Sequence, residues 1–96
     1  MIIDFVQIQK QKFQVVVNKI MVNPEQYIYF DSVSDFYKAE WLKELPHGST
    51  WAVSGLDDGA DEFYIQIQYK DMLFNIESFL DKIVLKFENK IIQLKK

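Results

Sequence analysis

Four carboxylates fall within six residues, Asp57, Asp58, Asp61 and Glu62, and no other stretch of the chain gathers chemistry so densely. Gly55 and Gly59 bracket the first two, and glycine supplies the unusual backbone angles of a tight turn. Carboxylates this close must be solvated, paired or bound. Calcium needs about six to eight oxygen ligands. The spacing here is not the alternating Asp-x-Asp-x-Asp-Gly of a helix-loop-helix calcium loop, and no Glu stands at the closing position after Asp57. Calcium at this turn stays an open reading, and no metal or cofactor is expected. Acid/base catalysis would require a pocket and a displaced pKa, which so polar a turn does not suggest. The remaining chemistry is attraction of a basic partner.

His47 is the only imidazole, so a multi-histidine zinc site is excluded, and a Ser-His-Asp arrangement would have to use this one side chain. It stands beside Ser49 in Leu-Pro-His-Gly-Ser-Thr, but neighbours in a turn rarely aim at one another. A surface residue is the simpler reading. The sequence holds no phosphate-cradling glycine loop, no nucleophile elbow and no dinucleotide fingerprint. The expectation is a protein without catalytic activity.

The net charge of -3 conceals an uneven distribution. Between Glu25 and Glu62 nine acids stand against two lysines, whereas both flanks are lysine-rich. All five tyrosines and both tryptophans lie between residues 27 and 69, nearly the same window. Tyr and Trp dominate interface hot spots, so acid beside aromatic suits the capture of a basic protein. All eleven bases are Lys. The absence of Arg, the usual tool for bidentate phosphate and guanine recognition, argues against nucleic acid as the partner.

The amino terminus meets Asp4 early and has no basic stretch followed by a long apolar run. No segment approaches the roughly 18 apolar residues of a membrane span. With no cysteine in the chain, a soluble cytoplasmic protein that needs no membrane is the expectation.

These residues must be positioned by a small scaffold. Ninety-six residues without linker, repeat or low-complexity run read as one domain over 1–96. The acidic turn feeds Phe63 to Tyr69, where Phe63, Ile65, Ile67 and Tyr69 alternate with Tyr64, Gln66 and Gln68 in the period of a half-buried strand. A hairpin at Lys70-Asp71 leads into Met72, Phe74 and Ile76, and a strand from about Ser49 to Ser54 precedes the turn. The three form an antiparallel meander. Tyr27 to Phe30 reads as a short aromatic strand.

Residues 2 to 21 carry Ile2, Phe5, Val6, Phe13, Val16, Val17 and Ile20, with Gln9 on the same stripe, at helical spacing. A strand over 13 to 17 is the alternative, since that run is β-branched. A helix from Val33 to Leu45, approximately capped by Ser32 and Asp35, carries Phe36, Tyr37 and Trp41 and stops at Pro46. From Ser78, Leu80, Val84, Phe87, Ile91 and Leu94 recur at 4, 3, 4, 3, the spacing of an amphipathic helix. Its competitor is a hairpin turning at Glu88-Asn89. The expected order is α-β-α-β-β-β-α, an α+β domain with a mostly antiparallel sheet of three to four strands and helices packed on it. Trp41, Trp51 and Tyr37 are expected in the core, and Tyr64, pointing with Gln66 and Gln68, on the wet side.

In size, acidity and lack of cysteine the chain resembles the immunity proteins that neutralise bacterial toxins. The likeness is one of type and carries over no residues. It implies a basic toxin domain such as a nuclease as partner. On the residues themselves, the partner-binding candidates are Asp57, Asp58, Asp61, Glu62, Tyr64 and Gln66. The second reading is a homodimer or other self-associating module, joined through the face of Tyr64, Gln66 and Gln68 or through the carboxy-terminal helix.

Overall fold

The computed structural model describes residues 4–28, 33–55 and 62–95. The chain is α+β, with a five-stranded antiparallel sheet packed under helices. Helix α1 (Phe5–Val22) opens on Asp4, whose carboxylate accepts from the Val6 N–H at 3.0 Å. This satisfies one of the donors that a helix start leaves unpaired. Gln9, Phe13, Val16, Val17, Ile20 and Met21 form its buried stripe. The helical spacing therefore wins over the β-branched run at 13 to 17. Asn23 closes the helix on the Lys19 carbonyl, and Pro24 starts a 3-10 turn over Pro24–Gln26.

That turn continues through Tyr27 and Ile28, whose N–H groups both donate to the Pro24 carbonyl. Tyr27 and Ile28 are thus turn residues and not the start of a strand; Tyr29, Phe30 and the capping Ser32 lie outside the described residues. The expected helix from Val33 to Leu45 is two short helices, α2 (Val33–Tyr37) and α3 (Glu40–Glu44). The break falls at Ala39, the strongest helix former, in an extended conformation, so propensity does not cause it. Phe36 and Trp41 are five residues apart, which on one helix would aim them about 140° apart. Breaking the helix lets both rings enter the core, where they meet edge to face at 6.1 Å.

Strands β1 (Thr50–Ser54), β2 (Phe63–Tyr69), β3 (Met72–Ser78), β4 (Lys82–Phe87) and β5 (Lys90–Lys95) pair in sequence order, each antiparallel to the next. The meander and its two-residue loop at Lys70-Asp71 are as the alternation predicts. The carboxy-terminal segment is not a helix but the hairpin β4–β5, turning at Glu88-Asn89. Ile83, Leu85 and Phe87 alternate into the core, and α1 already occupies the sheet face on which a second amphipathic helix would lie. Lys70 and Glu88, each first in its two-residue loop, have φ of 56° and 55°. The primed turns that join twisted strands demand such a positive φ.

One face of the sheet, Phe63, Ile65, Ile67, Tyr69, Met72, Phe74 and Ile76 with the β4 residues, packs on α1. Phe13 stands at its centre, 6.4 Å from the Tyr69 ring and 6.1 Å from Phe87. The other face carries Tyr64, Gln66, Gln68, Asn75, Glu77 and Lys86, and Val84 is buried there between Glu77 and Gln93.

Candidate functional site

Of the six sequence-derived candidates, Asp57, Asp58 and Asp61 lie outside the described residues. Glu62 is exposed immediately before β2. The strands on either side of the acidic segment are fixed by Gly55, whose φ is +77°. A Cβ there would stand 2.8 Å from the Glu62 carbonyl oxygen, so the backbones touch where only glycine fits.

Tyr64 and Gln66 do share the outer sheet face. Tyr64 is half-buried rather than open: its hydroxyl donates to Asn75 Oδ1 at 3.0 Å and accepts from Gln66 Nε2 at 3.4 Å. Glu77 and Lys86 pair at 3.2 Å on the same face. The polar groups around the Tyr64 hydroxyl are largely used on one another, which leaves this face little free chemistry beyond its amides.

The aromatic expectations divide. Trp41 is buried as expected. Tyr37 and Trp51 are 54% and 41% exposed, against the expectation of a core role. Trp51 lies across from Ile67 and so on the core side of the sheet, but β1 is an edge strand and leaves the indole open to water. Tyr37 packs edge-on against Phe36 at 5.2 Å and otherwise faces solvent.

A second acidic region is formed by the fold alone. Between α1, the 3-10 turn, α2 and α3 lies a cleft of about 420 Å³. Glu25, Asp35, Glu40 and Glu44 line it together with Tyr27 and Trp41. The Trp41 indole Nε1 donates to the Tyr27 carbonyl at 3.0 Å and fixes the two aromatic walls relative to each other. Among the lining residues Lys19 is the one cation. Its ammonium stands 2.7 Å from Glu44 Oε2 and 5.6 Å from the centre of the Tyr27 ring. The Glu44 hydrogen bond raises the Lys19 pKa, desolvation opposes it, and the Glu44 charge adds to the rise. Lys19 shows how this cleft holds an ammonium: a carboxylate from one side and a ring face from the other. Glu25, Asp35 and Glu40 extend the negative lining beyond that pair.

The sequence reading missed this site because its acids come from three elements, the 3-10 turn, α2 and α3, and only Glu40 and Glu44 share a helical spacing. The signal that could have found it is the overlap of the acidic window with Tyr27 and Trp41. The reading at His47 also changes in detail. Ser49 Oγ donates to the Pro46 carbonyl at 2.7 Å, so the hydroxyl caps its own turn, and His47 is exposed. Among the described residues no group of three or more His, Cys, Asp or Glu side chains is arranged to hold a metal ion. No described helix is long and apolar enough to cross a membrane. Comparison of the chain with protein-family models, with curated proteins and with solved structures gave no match.

Proposed function

We propose that this chain is a non-catalytic, cytoplasmic binding module that captures a basic protein, in the manner of an immunity protein or inhibitor neutralising a toxin domain such as a nuclease. The observation that carries the proposal is the cleft at Trp41, where four carboxylates surround two aromatic walls with a single internal lysine. A basic toxin presents Lys and Arg side chains where it holds phosphates. Carboxylates of Glu25, Asp35 and Glu40 would take the place of those phosphates, and the half-buried Tyr27 ring on the cleft wall offers apolar area at low entropy cost. Asp57, Asp58, Asp61 and Glu62 add to the chain's negative charge, which favours encounter with a basic partner. Association of this kind is fast and weakens with salt, because exposed charges are screened beyond about 8 to 10 Å at physiological ionic strength.

The test is a tagged pull-down from native lysate, washed at low and then at high salt, run in parallel with two charge-reversed chains. One carries Glu25→Lys and Glu40→Lys; the other carries Asp57→Lys, Asp58→Lys and Asp61→Lys. A single basic protein held at low salt, released at high salt and lost from the first variant supports the cleft as the interface. Loss from the second variant alone moves the interface to the acidic turn. Retention by both variants removes the proposal.

A further inference from the structure

Helix α1 carries two apolar stripes, and the core uses only one. Phe5, Ile8, Val15 and Val22 are 69%, 38%, 65% and 85% exposed. With Lys12 and Lys19 they occupy positions 5, 8, 12, 15, 19 and 22, the alternating three-and-four spacing of a helix-helix seam. Beside the seam runs a groove of about 470 Å³ with apolar lining from Ile8, Val15 and Val16 and charged lining from Lys12, Lys19 and Glu44.

We propose that this seam is the two-fold interface of a homodimer, with α1 of one copy lying antiparallel on α1 of the other and the axis between Phe13 and Gln14. In that register Phe5 meets Val22 of the second copy, Ile8 meets its Lys19, and Lys12 meets its Val15. Every lysine then lies across from an apolar residue and can lay its methylene stem along it. A parallel pairing would set Lys12 on Lys12 and Lys19 on Lys19, two like-charge contacts in the middle of the seam. Reversal also places each helix amino terminus beside a carboxy terminus, the favourable arrangement of their dipoles.

Charge complementarity favours a second copy over an unrelated apolar partner. Among the described residues Lys12 has no ion pair, whereas Lys10, Lys19, Lys43 and Lys86 each have one. In the two-fold register the free Lys12 ammonium arrives at Val15 of the other copy, in the groove that Glu44 also lines. Glu44 can then bridge its own Lys19 and the incoming Lys12, and symmetry repeats the contact. Lys19 and Glu44 line both the groove and the cleft, whereas Glu25, Asp35 and Glu40 line only the cleft and Lys12 and Val15 only the groove, so substitutions at these unshared residues test capture and dimerisation separately.

The chain has no cysteine, so introduced thiols report unambiguously. Phe5→Cys and Val22→Cys chains, treated with a short bis-maleimide, should cross-link poorly alone and efficiently when mixed, because only the antiparallel register brings the two positions together. Light scattering of the unmodified chain should give a mass rising with concentration from 11.4 kDa toward twice that value. Val15→Lys, which sets a second ammonium across from Lys12 of the other copy, should raise the dissociation constant about a hundredfold, tenfold for each symmetric copy of the contact. Lys12→Glu, which keeps a strong helix former, should weaken the dimer in the same direction, with circular dichroism verifying that both variants fold. Monomeric mass at every concentration, cross-linking of either single variant alone, or a dimer indifferent to both substitutions would overturn the proposal. A chain that stays monomeric in solution but sediments with anionic lipid vesicles would overturn it too, and would assign the stripe to a lipid surface.

Discussion

The Trp41 indole Nε1 reaches across fourteen residues to the main-chain carbonyl of Tyr27, at 3.0 Å. This hydrogen bond ties α3 to the turn that follows α1, and it exists because the break at Ala39 rotates Trp41 toward the core. Trp41→Phe keeps much of the packing but leaves the Tyr27 carbonyl without its donor. The expected cost is about 1 to 2 kcal/mol of stability. Trp41→Ala also opens a cavity and should cost about 3 to 5 kcal/mol. Urea unfolding of the three chains measures both, and equal stability of Trp41→Phe and the parent would show that the hydrogen bond contributes nothing.

Gly55→Ala tests the approach of β1 and β2 beside the acidic segment. The new methyl would meet backbone atoms, Glu62 O at 2.8 Å and Phe63 Cα at 3.3 Å, at a residue with φ of +77°. Backbone cannot move aside as a flexible side chain can. The left-handed conformation and the clash together should cost at least about 2 kcal/mol. A thermal midpoint unchanged within error would mean that the strands separate there without penalty.

What the sequence displays and what it hides follow from how many constraints act on each residue. In Phe63 to Ser78 one period accounts for every buried side chain, so element and burial can both be read from the spacing; in α1 the spacing gives the helix, but Phe5 and Val6, read on its stripe, are 69% and 37% exposed. From Ser78 onward two periods coexist. The 4, 3, 4, 3 stripe of Leu80, Val84, Phe87, Ile91 and Leu94 satisfies a helix, and the alternation of Ile83, Leu85 and Phe87 satisfies a strand. Only the prior occupation of the sheet face by α1 decides between them, and that is a tertiary fact. The break at Ala39 is hidden for the same reason, since it answers the joint burial of Phe36 and Trp41. The cleft is hidden because Glu25, Asp35, Glu40 and Glu44 converge only after that break has formed.

The pair of Lys10 and Asp71 gives a pH dependence whose sign is fixed. The Lys10 ammonium, 2.9 Å away, donates a hydrogen bond that lowers the Asp71 pKa, with the residue's own backbone N–H and the Lys10 charge acting the same way. A depressed native pKa means that the unfolded chain takes up the proton first as pH falls. The stabilisation is therefore complete above the ordinary aspartate range and disappears as pH falls through the lowered native value. The parent should be more stable than Asp71→Asn near neutrality, and the gap should close in acid. Both side chains reach solvent, so the gap should be small and should shrink with added salt. A gap that is constant with pH would show that the substitution acts through something other than this charge.

The carboxy-terminal hairpin separates residues that a helix would have grouped. On the helical stripe Leu80 and Ile91 would be core, yet they are 69% and 64% exposed, while Ile83 and Leu85 are 2% and 0% exposed. Leu80→Ser and Ile91→Ser should therefore change stability by no more than about 0.5 kcal/mol. Ile83→Ala and Leu85→Ala remove buried methyl groups against Phe74, Ile76 and α1 and should each cost about 2 to 5 kcal/mol. Denaturant unfolding of the four single variants reads both halves of the contrast. The pattern is diagnostic because a helix through 80, 84, 87, 91 and 94 makes Leu80 and Ile91 sensitive and Leu85 tolerant. An inverted result would thus reject the fifth strand, and with it the open β5 edge at which the sheet ends.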